Sequence, residues 1–191
     1  MYKLKVISST VRPGRKGPLV AQWIAEQANA TGDFDAEVLD LGEIKLPVFD
    51  EAVHPLMRQY EQPHTKEWAA RIDEADAFVF VTAEYNYSYP ASLRNALEYL
   101  HHEWGYKAAG LVSYSMGPFG GVRAINNLKM DLVTLKIMPL AEFVPIPSLG
   151  NLLTEEGAFQ SSELVDKSVA AMLKQLARWT KGMKSIREDA A

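Results

Sequence analysis

Five short apolar segments along the chain have the pattern of β-strands. The first spans residues 3–9, where alternating polar and apolar positions turn into a continuous apolar run. The third, residues 77–82, reads AFVFVT, which is typical of a strand buried on both faces. The other three candidates span residues 36–41, 108–113 and 140–145.

Stripes of apolar residues at intervals of three and four follow these strands and predict amphipathic helices. They occupy residues 20–28, 68–75, 93–100, 122–135 and 165–176. Strands that alternate with helices are the signature of a parallel sheet covered by helices on both faces. We therefore predict an α/β fold with a doubly wound, five-stranded parallel sheet.

Composition narrows the class of protein. A length of 191 residues suits a single domain over residues 1–191, with a polar tail at 181–191 that we expect to fray. The chain has no cysteine, which excludes disulfides, thiolate metal sites and cysteine nucleophiles. A net charge of −4 argues against a nucleic-acid partner. No apolar run approaches the roughly 20 residues of a membrane span, and the N-terminus lacks a signal-peptide core, so we expect no membrane partner and a cytoplasmic protein.

Three loops concentrate the residues that could do chemistry. They span residues 9–17, 83–90 and 113–121, each after a predicted strand. In an open parallel sheet, ligands bind beyond the carboxyl ends of the strands, near the switch in strand order. The first loop contains neither the Gly-x-Gly-x-x-Gly of dinucleotide folds nor a Walker sequence. Hydroxyls and arginines stand in their place.

The first loop has the composition of a phosphate site. Thr10 offers a hydroxyl, and Arg12 and Arg15 offer forked donors that match phosphate geometry. Gly17 and Pro18 open the following helix, whose N-terminus favours an anion. The alternative interpretation is a solvated basic turn.

The second and third loops would suit a flat, polar ring. Three tyrosines surround Asn86 in the sequence Glu84-Tyr85-Asn86-Tyr87-Ser88-Tyr89-Pro90, and the third loop begins Ser113-Tyr114-Ser115-Met116-Gly117. The alternatives are tyrosines that pack the core and a plain flexible turn. Together the three loops suit a phosphorylated flat ring, for which flavin mononucleotide (FMN) is the obvious candidate.

These loops resemble the motifs of the NADPH-dependent FMN reductase family, a flavodoxin-like group that includes quinone, chromate and azo-dye reductases. The family's Gly-Ser-x-Arg is similar to Ser9-Thr10-Val11-Arg12, and its Pro-Glu-Tyr-Asn-x-Ser-x-Pro to residues 83–90. Its Leu-Lys-Asn-Ala corresponds to residues 93–96, and its Ser-x-Gly and Gly-Gly-x-Arg-Ala to residues 115–117 and 120–124. Ser9 and Ala83 depart from the family's glycine and proline.

The resemblance implies a flavodoxin-like fold and an FMN-dependent NAD(P)H oxidoreductase. Hydride would pass from NADPH or NADH to bound FMN, and electrons would then pass to a quinone, free flavin or similar small acceptor. No side chain is then required as a catalytic acid or base, and we predict no metal site. The implied cofactor contacts are Thr10, Arg12, Arg15, Gly17, Pro18, Glu84, Tyr85, Asn86, Tyr87, Ser115, Met116 and Gly117.

The resemblance also implies a homodimer or homotetramer, with the helices after Pro90 and Gly121 at the interface. The apolar stripe at 122–135 supports this expectation if one subunit does not bury it fully. Three other functions stay open from the sequence: a flavodoxin-like electron carrier, a flavin-binding regulator without turnover, and a phosphate-ester hydrolase. The hydrolase is disfavoured, because the first loop holds neither Cys nor Asp as a nucleophile.

Overall fold

Five parallel strands form the central sheet of the computed structural model, which describes residues 1–189. They are β1 (Tyr2–Ser8), β2 (Phe34–Asp40), β3 (Ala77–Ala83), β4 (Ala108–Tyr114) and β5 (Met138–Ile146). Their order across the sheet is β2-β1-β3-β4-β5, so the chain switches direction between β1 and β3. The predicted doubly wound α/β fold is confirmed.

Helices cover both faces of this sheet. They are α1 (Gly17–Ala30), α2 (Leu41–Ile44), α3 (Pro63–Asp73), α4 (Ala91–Glu98), α5 (Val122–Thr134) and α6 (Glu163–Asp189). Helices α1 and α6 pack on one face, and α3, α4 and α5 pack on the other. None of the helices within residues 1–189 is long and apolar enough to cross a bilayer.

The alternation of side chains along β3 supplies both cores. Val79 and Val81 point into the layer shared with α1 and α6, whereas Phe78 and Phe80 point into the opposite layer. All four side chains are fully buried. This explains why the segment is apolar except for the buried Thr82, because both faces of a central parallel strand are covered.

The predicted fraying of the tail is wrong over residues 181–189, which are the last turns of α6. Met183 is buried in the core, and Arg187 donates to the carbonyl of Tyr106 at 2.6 Å. Arg187 and Lys184 also pair with Asp76, at 3.3 and 3.2 Å. The polar sequence conceals one buried side chain and two cations that bind the body of the fold. The last two residues of the predicted tail, 190 and 191, lie outside the described range.

The middle of the stripe on α5 is buried within one chain. Ile125, Leu128 and Leu132 are completely covered by the sheet and its neighbouring helices. The apolar residues that α5 leaves exposed are instead Met130 and Val133. The two ends of the stripe, Val122 and Leu135, are only half-buried, so one chain does not bury it fully, and the surface of α5 presents further apolar groups.

Candidate active site

The first loop begins where β1 ends, at the switch in strand order. Its Thr10 is buried and shares a 3.2 Å hydrogen bond with the Tyr114 hydroxyl at the end of β4. Burial raises the pKa of Tyr114 to about 12, so its hydroxyl stays neutral. Ser9, the departure from the family's glycine, directs its hydroxyl to Thr82 at 3.1 Å. The Ser9 side chain therefore bonds to β3.

The N-terminus of α1 lies against these hydroxyls. Gly17, its first residue, has no room for a side chain, because a Cβ would lie 2.5 Å from Thr10 Oγ1 and 2.9 Å from the Tyr114 hydroxyl. Pro18 stands in the first turn, and no side chain caps the helix at Lys16. Pro18 has no N–H and the Val20 N–H donates to the Lys16 carbonyl at 3.4 Å, so Gly17 and Leu19 are the residues of this turn whose N–H groups could meet an anion.

The two arginines of the loop have different surroundings. Arg12 is exposed, and its Nε donates to the Tyr85 hydroxyl at 3.1 Å, which links the first loop to the second. Arg15 instead donates from Nη2 to Asp40 at 2.8 Å and to Glu43 at 3.0 Å. The hydrogen bond to Asp40 raises the pKa of Arg15. The two residues predicted as equivalent phosphate ligands are therefore not equivalent.

The second loop is a tight turn. The N–H and carbonyl groups of Tyr85 and Ser88 bond to each other, at 2.7 and 2.9 Å. Asn86 and Tyr87, at its tip, both have positive φ angles, 50° and 67°. Asparagine adopts this conformation readily and tyrosine seldom does. The turn leaves the N–H groups of its two tip residues outside its own pair of hydrogen bonds.

A contact that the sequence left unassigned fixes this turn. Arg123 at the start of α5 donates to Glu84 from its guanidinium at 3.0 Å and from its backbone N–H at 3.2 Å. The same guanidinium lies 4.3 Å from the ring centre of Tyr87 and 5.0 Å from that of Phe119. Glu84 is thus engaged in an ion pair, which fits a structural role better than that of a general base. The signal was present in the Gly-Gly-x-Arg-Ala motif, but nothing in the sequence indicated its partner.

The third loop, which follows β4, is held by hydrogen bonds to its own backbone and to the segment after β5. The Ser115 hydroxyl donates to the carbonyl of Gly117 at 2.9 Å, and the Gly117 carbonyl also accepts from the Ser148 N–H at 2.9 Å. Met116, between them, is 67% exposed. Gly121 has a φ of 80°, and a Cβ there would lie 2.9 Å from Ser113 Cβ, so only glycine fits where α5 begins.

All three loops line one cleft of about 320 Å³, within the range of small-molecule sites. Seven predicted residues line it: Arg12, Arg15, Glu84, Tyr85, Ser115, Met116 and Gly117. The other five predicted residues do not line it and lie in the first and second loops or in the first turn of α1: Thr10, Gly17, Pro18, Asn86 and Tyr87. Lining residues that the sequence did not predict are Lys16, Ala83, Tyr114 and Leu149. Tyr114 and Leu149 were missed because one ends a buried strand and the other lies 28 residues beyond Gly121.

Comparisons with known proteins identify the family. The sequence profile described as NADPH-dependent FMN reductase matches residues 2–149. The chain belongs to this family. It is 39% identical over 149 residues to an NAD(P)H-dependent FMN reductase of Schizosaccharomyces pombe, covering 76% of this chain and 74% of the relative. A quinone reductase of Escherichia coli is 31% identical over 176 residues, 86% of this chain and 87% of its own.

The fold comparison agrees. The flavoenzyme NAD(P)H:(acceptor) oxidoreductase FerB of Paracoccus denitrificans superposes with a TM-score of 0.75, covering 96% of this chain and 99% of that one, at 20% identity. The resemblance stated from the motifs is thus confirmed, together with the flavodoxin-like fold. Membership also confirms the predicted class, an FMN-dependent NAD(P)H oxidoreductase, and favours an enzyme over a passive electron carrier.

Proposed function

We propose that FMN occupies the cleft with its phosphate at the first loop and its ring between the second and third loops. The observation that carries this proposal is the convergence of the three loops on one cleft at the β1/β3 switch, where a parallel sheet binds its ligands. The uncapped N-terminus of α1 and the exposed Arg12 supply positive potential at the phosphate end. Thr10 adds a neutral hydroxyl, and the absence of a Cβ at Gly17 lets the backbone come close.

The remaining predicted contacts lie in the second and third loops, on either side of the proposed ring position. Bound FMN supplies the redox chemistry, by accepting hydride from NAD(P)H and passing electrons to an acceptor. The N–H groups of Asn86 and Tyr87 lie outside the turn's own pair of hydrogen bonds and would be available to the polar edge of the ring, and Arg123 and Glu84 keep this turn in place. Ser115, Met116 and Gly117 border the opposite side of the cleft.

We propose a quinone, a free flavin or a similar small molecule as the electron acceptor. The relatives named quinone reductase and the NADPH azoreductase of a Bacillus species, 30% identical over 131 residues, support small aromatic acceptors. The chain offers an exposed aromatic margin beside the cleft, since Tyr87 and Phe119 are 67% and 65% exposed. A planar acceptor would approach the ring across this margin.

Flavin titration tests the location of the site. Apo-protein should bind about one FMN per chain, followed by the change in flavin fluorescence. Arg12→Ala should weaken FMN binding tenfold or more, because a hydrogen bond to a charged group contributes about 1.5–3 kcal/mol. Riboflavin, which lacks the phosphate, should bind both proteins equally. Arg71→Ala is the control, because Arg71 pairs with Glu37 and does not line the cleft, and it should leave the binding of both flavins unchanged. Equal losses for FMN and riboflavin would contradict the placement of the phosphate.

Anaerobic mixing tests the reaction. FMN-loaded protein mixed with NADPH, and separately with NADH, should lose its flavin absorbance within seconds and regain it when a quinone is added. The ratio of the two rates gives the donor preference. If dithionite bleaches the flavin and neither nicotinamide does so over many minutes, the carrier or regulator interpretation should replace this one.

We propose further that the protein is a homodimer formed through α4 and α5. A groove of about 470 Å³ lies between these helices and includes Leu97, His101 and Leu135 in its lining. Met130 and Val133 are exposed on α5, 74% and 63% respectively. Burial of such apolar groups is what drives stable association. A tetramer would need a second interface in addition.

A further inference from the structure

Arg15 is held by an acidic pair on a neighbouring element. Its Nη2 bonds Asp40 Oδ2 and Glu43 Oε1, and the side chains of Arg15 and Asp40 are only 19% and 14% exposed. The guanidinium packs directly on the backbone of Gly42, where a Cβ would lie 2.7 Å from Cζ and from Nη2. A side chain at position 42 would displace it. The guanidinium is thus held between the two carboxylates and the backbone of Gly42.

Asp40 serves two partners at once. It is the last residue of β2 and the N-cap of α2, and its Oδ1 accepts the N–H of Gly42 at 2.9 Å while its Oδ2 accepts from Arg15. Strand β2 pairs with β1, from which the first loop departs. The Arg15–Asp40 pair therefore ties the end of the first loop, two residues before α1 begins, to the adjacent edge of the sheet.

The electrostatic consequence separates the two arginines. The charge of Arg15 is balanced mainly by Asp40, which is largely buried beside it, while Glu43 is exposed, so little net attraction is left for a further anion. Arg12 bonds a neutral hydroxyl at Tyr85, and its guanidinium is exposed. Of these two guanidinium groups, Arg12 is the one that keeps an unbalanced positive charge beside the cleft.

We propose that Arg15 is a positioning residue: through Asp40 it fixes the conformation of the first loop, and Arg12 alone of the two recognises the phosphate. This inference rests on the proposed placement of the FMN phosphate at that loop. It changes the sequence-based role of Arg15 from direct ligand to anchor. It also assigns a function in cofactor binding to Asp40, an acidic residue that would otherwise be expected to repel a phosphate.

The variant Asp40→Asn separates the two roles by the sign of its effect. Asparagine keeps an oxygen for the N–H of Gly42 and loses the charge that holds Arg15. If Arg15 contacts phosphate directly, the variant frees it and removes a nearby negative charge, so FMN should bind equally or more tightly. If Arg15 is an anchor, FMN binding should weaken about fivefold or more, the scale of coupling between groups in contact.

A double-mutant cycle and a selectivity ratio complete the test. Arg15→Ala should weaken FMN binding about as much as Asp40→Asn, and the double variant no more than either alone. Riboflavin binding should change little in all three, so that the FMN-to-riboflavin affinity ratio falls; a general loss of structure would lower both affinities. Glu43→Gln is the control, because Glu43 is 74% exposed and its pair with Arg15 should contribute little. Amide hydrogen exchange in the apo-protein should accelerate at residues 11–16 in Asp40→Asn but not in Glu43→Gln.

The outcomes distinguish this inference from the proposal on which it rests. If Arg12→Ala weakens FMN binding selectively while Asp40→Asn leaves it unchanged or tighter, the anchoring role of Arg15 is overturned and the site stands. If Arg12→Ala weakens FMN and riboflavin binding equally or not at all, the proposed placement of the phosphate is overturned, and the role of Arg15 falls with it. Should Asp40→Asn not fold, Asp40→Ser retains an N-cap acceptor for Gly42. FMN binding should then weaken if Arg15 is an anchor, and stay equal or become tighter if Arg15 contacts the phosphate directly.

Discussion

At Gly17, three hydroxyl groups converge on the position that a side chain would occupy. A Cβ there would lie 2.5 Å from Thr10 Oγ1 and 2.9 Å from both Ser8 Oγ and the Tyr114 hydroxyl. We expect Gly17→Ala to lower the free energy of unfolding by about 1–3 kcal/mol, the cost of overpacking a closed site, and to weaken FMN binding. Urea denaturation and flavin titration measure the two effects.

Gly182 provides the matched control for this substitution. It lies within α6, and a Cβ there would meet no heavy atom within 4 Å. Gly182→Ala should therefore raise the free energy of unfolding by roughly 0.5–1 kcal/mol, since alanine loses less backbone entropy in a helix. Wild-type stability and wild-type FMN affinity in Gly17→Ala would contradict the close approach of α1 to the hydroxyls.

The residue scale is also where sequence reasoning reached its limit. Arg12 and Arg15 share a loop and a chemistry, and their spacing predicts the same role for both. Their difference comes from Asp40, which is 25 positions away from Arg15 and is brought beside it by the pairing of β1 with β2. No local pattern encodes that contact. Likewise, the motif contains Arg123 without revealing that Glu84 and two aromatic rings surround it.

At the scale of elements, the pattern of side chains was a better guide. The continuous apolar run in β3 predicted a strand buried on both faces, and the helical stripe at 122–135 predicted a helix buried on one face. The prediction for the tail was wrong because this pattern is missing there: residues 181–189 carry a single buried apolar side chain, Met183, among charged residues. A helix held mainly by ion pairs to Asp76 and by a backbone carbonyl has too weak a periodicity to be predicted.

The end of α6 can be tested through Met183. We expect Met183→Ala to lower the free energy of unfolding by about 2 kcal/mol, at the low end for a buried methionine because it is 9% exposed. Ile186→Ala, on the same helix but 48% exposed, should change it by less than about 0.5 kcal/mol. Equal effects of the two substitutions in thermal melts would show that the last turns do not pack on the core.

Glu51 connects a long loop to the start of α3 and makes stability depend on pH. Its burial would raise the pKa, but hydrogen bonding with the Thr65 side chain and with the N–H groups of Glu61 and Gln62, the latter at 2.8 and 3.0 Å, outweighs burial, and the net pKa is lowered. Because the folded-state pKa lies below the unfolded value, this contribution is present above the unfolded pKa and is lost as pH falls through the folded one.

We therefore expect Glu51→Gln to lower the free energy of unfolding by about 1 kcal/mol at neutral pH. The variant should also lose less stability than the wild type when the pH falls from about 5 to about 3. Chemical denaturation across this range measures both effects. Glu67→Gln, an exposed position on α3, is the control and should follow the wild-type curve. Parallel curves for wild type and Glu51→Gln would remove Glu51 from the acid response.

At the scale of the whole molecule, the apolar groups left on α5 set the expected assembly. The middle of the predicted stripe is buried by its own sheet, so any dimer must use the surface that remains: Met130, Val133 and the groove between α4 and α5, which Leu135 lines. Light scattering should then give a mass about twice the 21.3 kDa of one chain over a range of concentrations. A double variant, Met130→Glu with Val133→Glu, should shift the protein toward the single-chain mass, because two charges would be desolvated in the interface. Leu164→Glu, an exposed position on α6 at the opposite face of the sheet, should leave the mass unchanged. A single-chain mass for the wild type at every concentration would overturn the dimer, and monomers from Leu164→Glu alone would move the interface to the α1/α6 face.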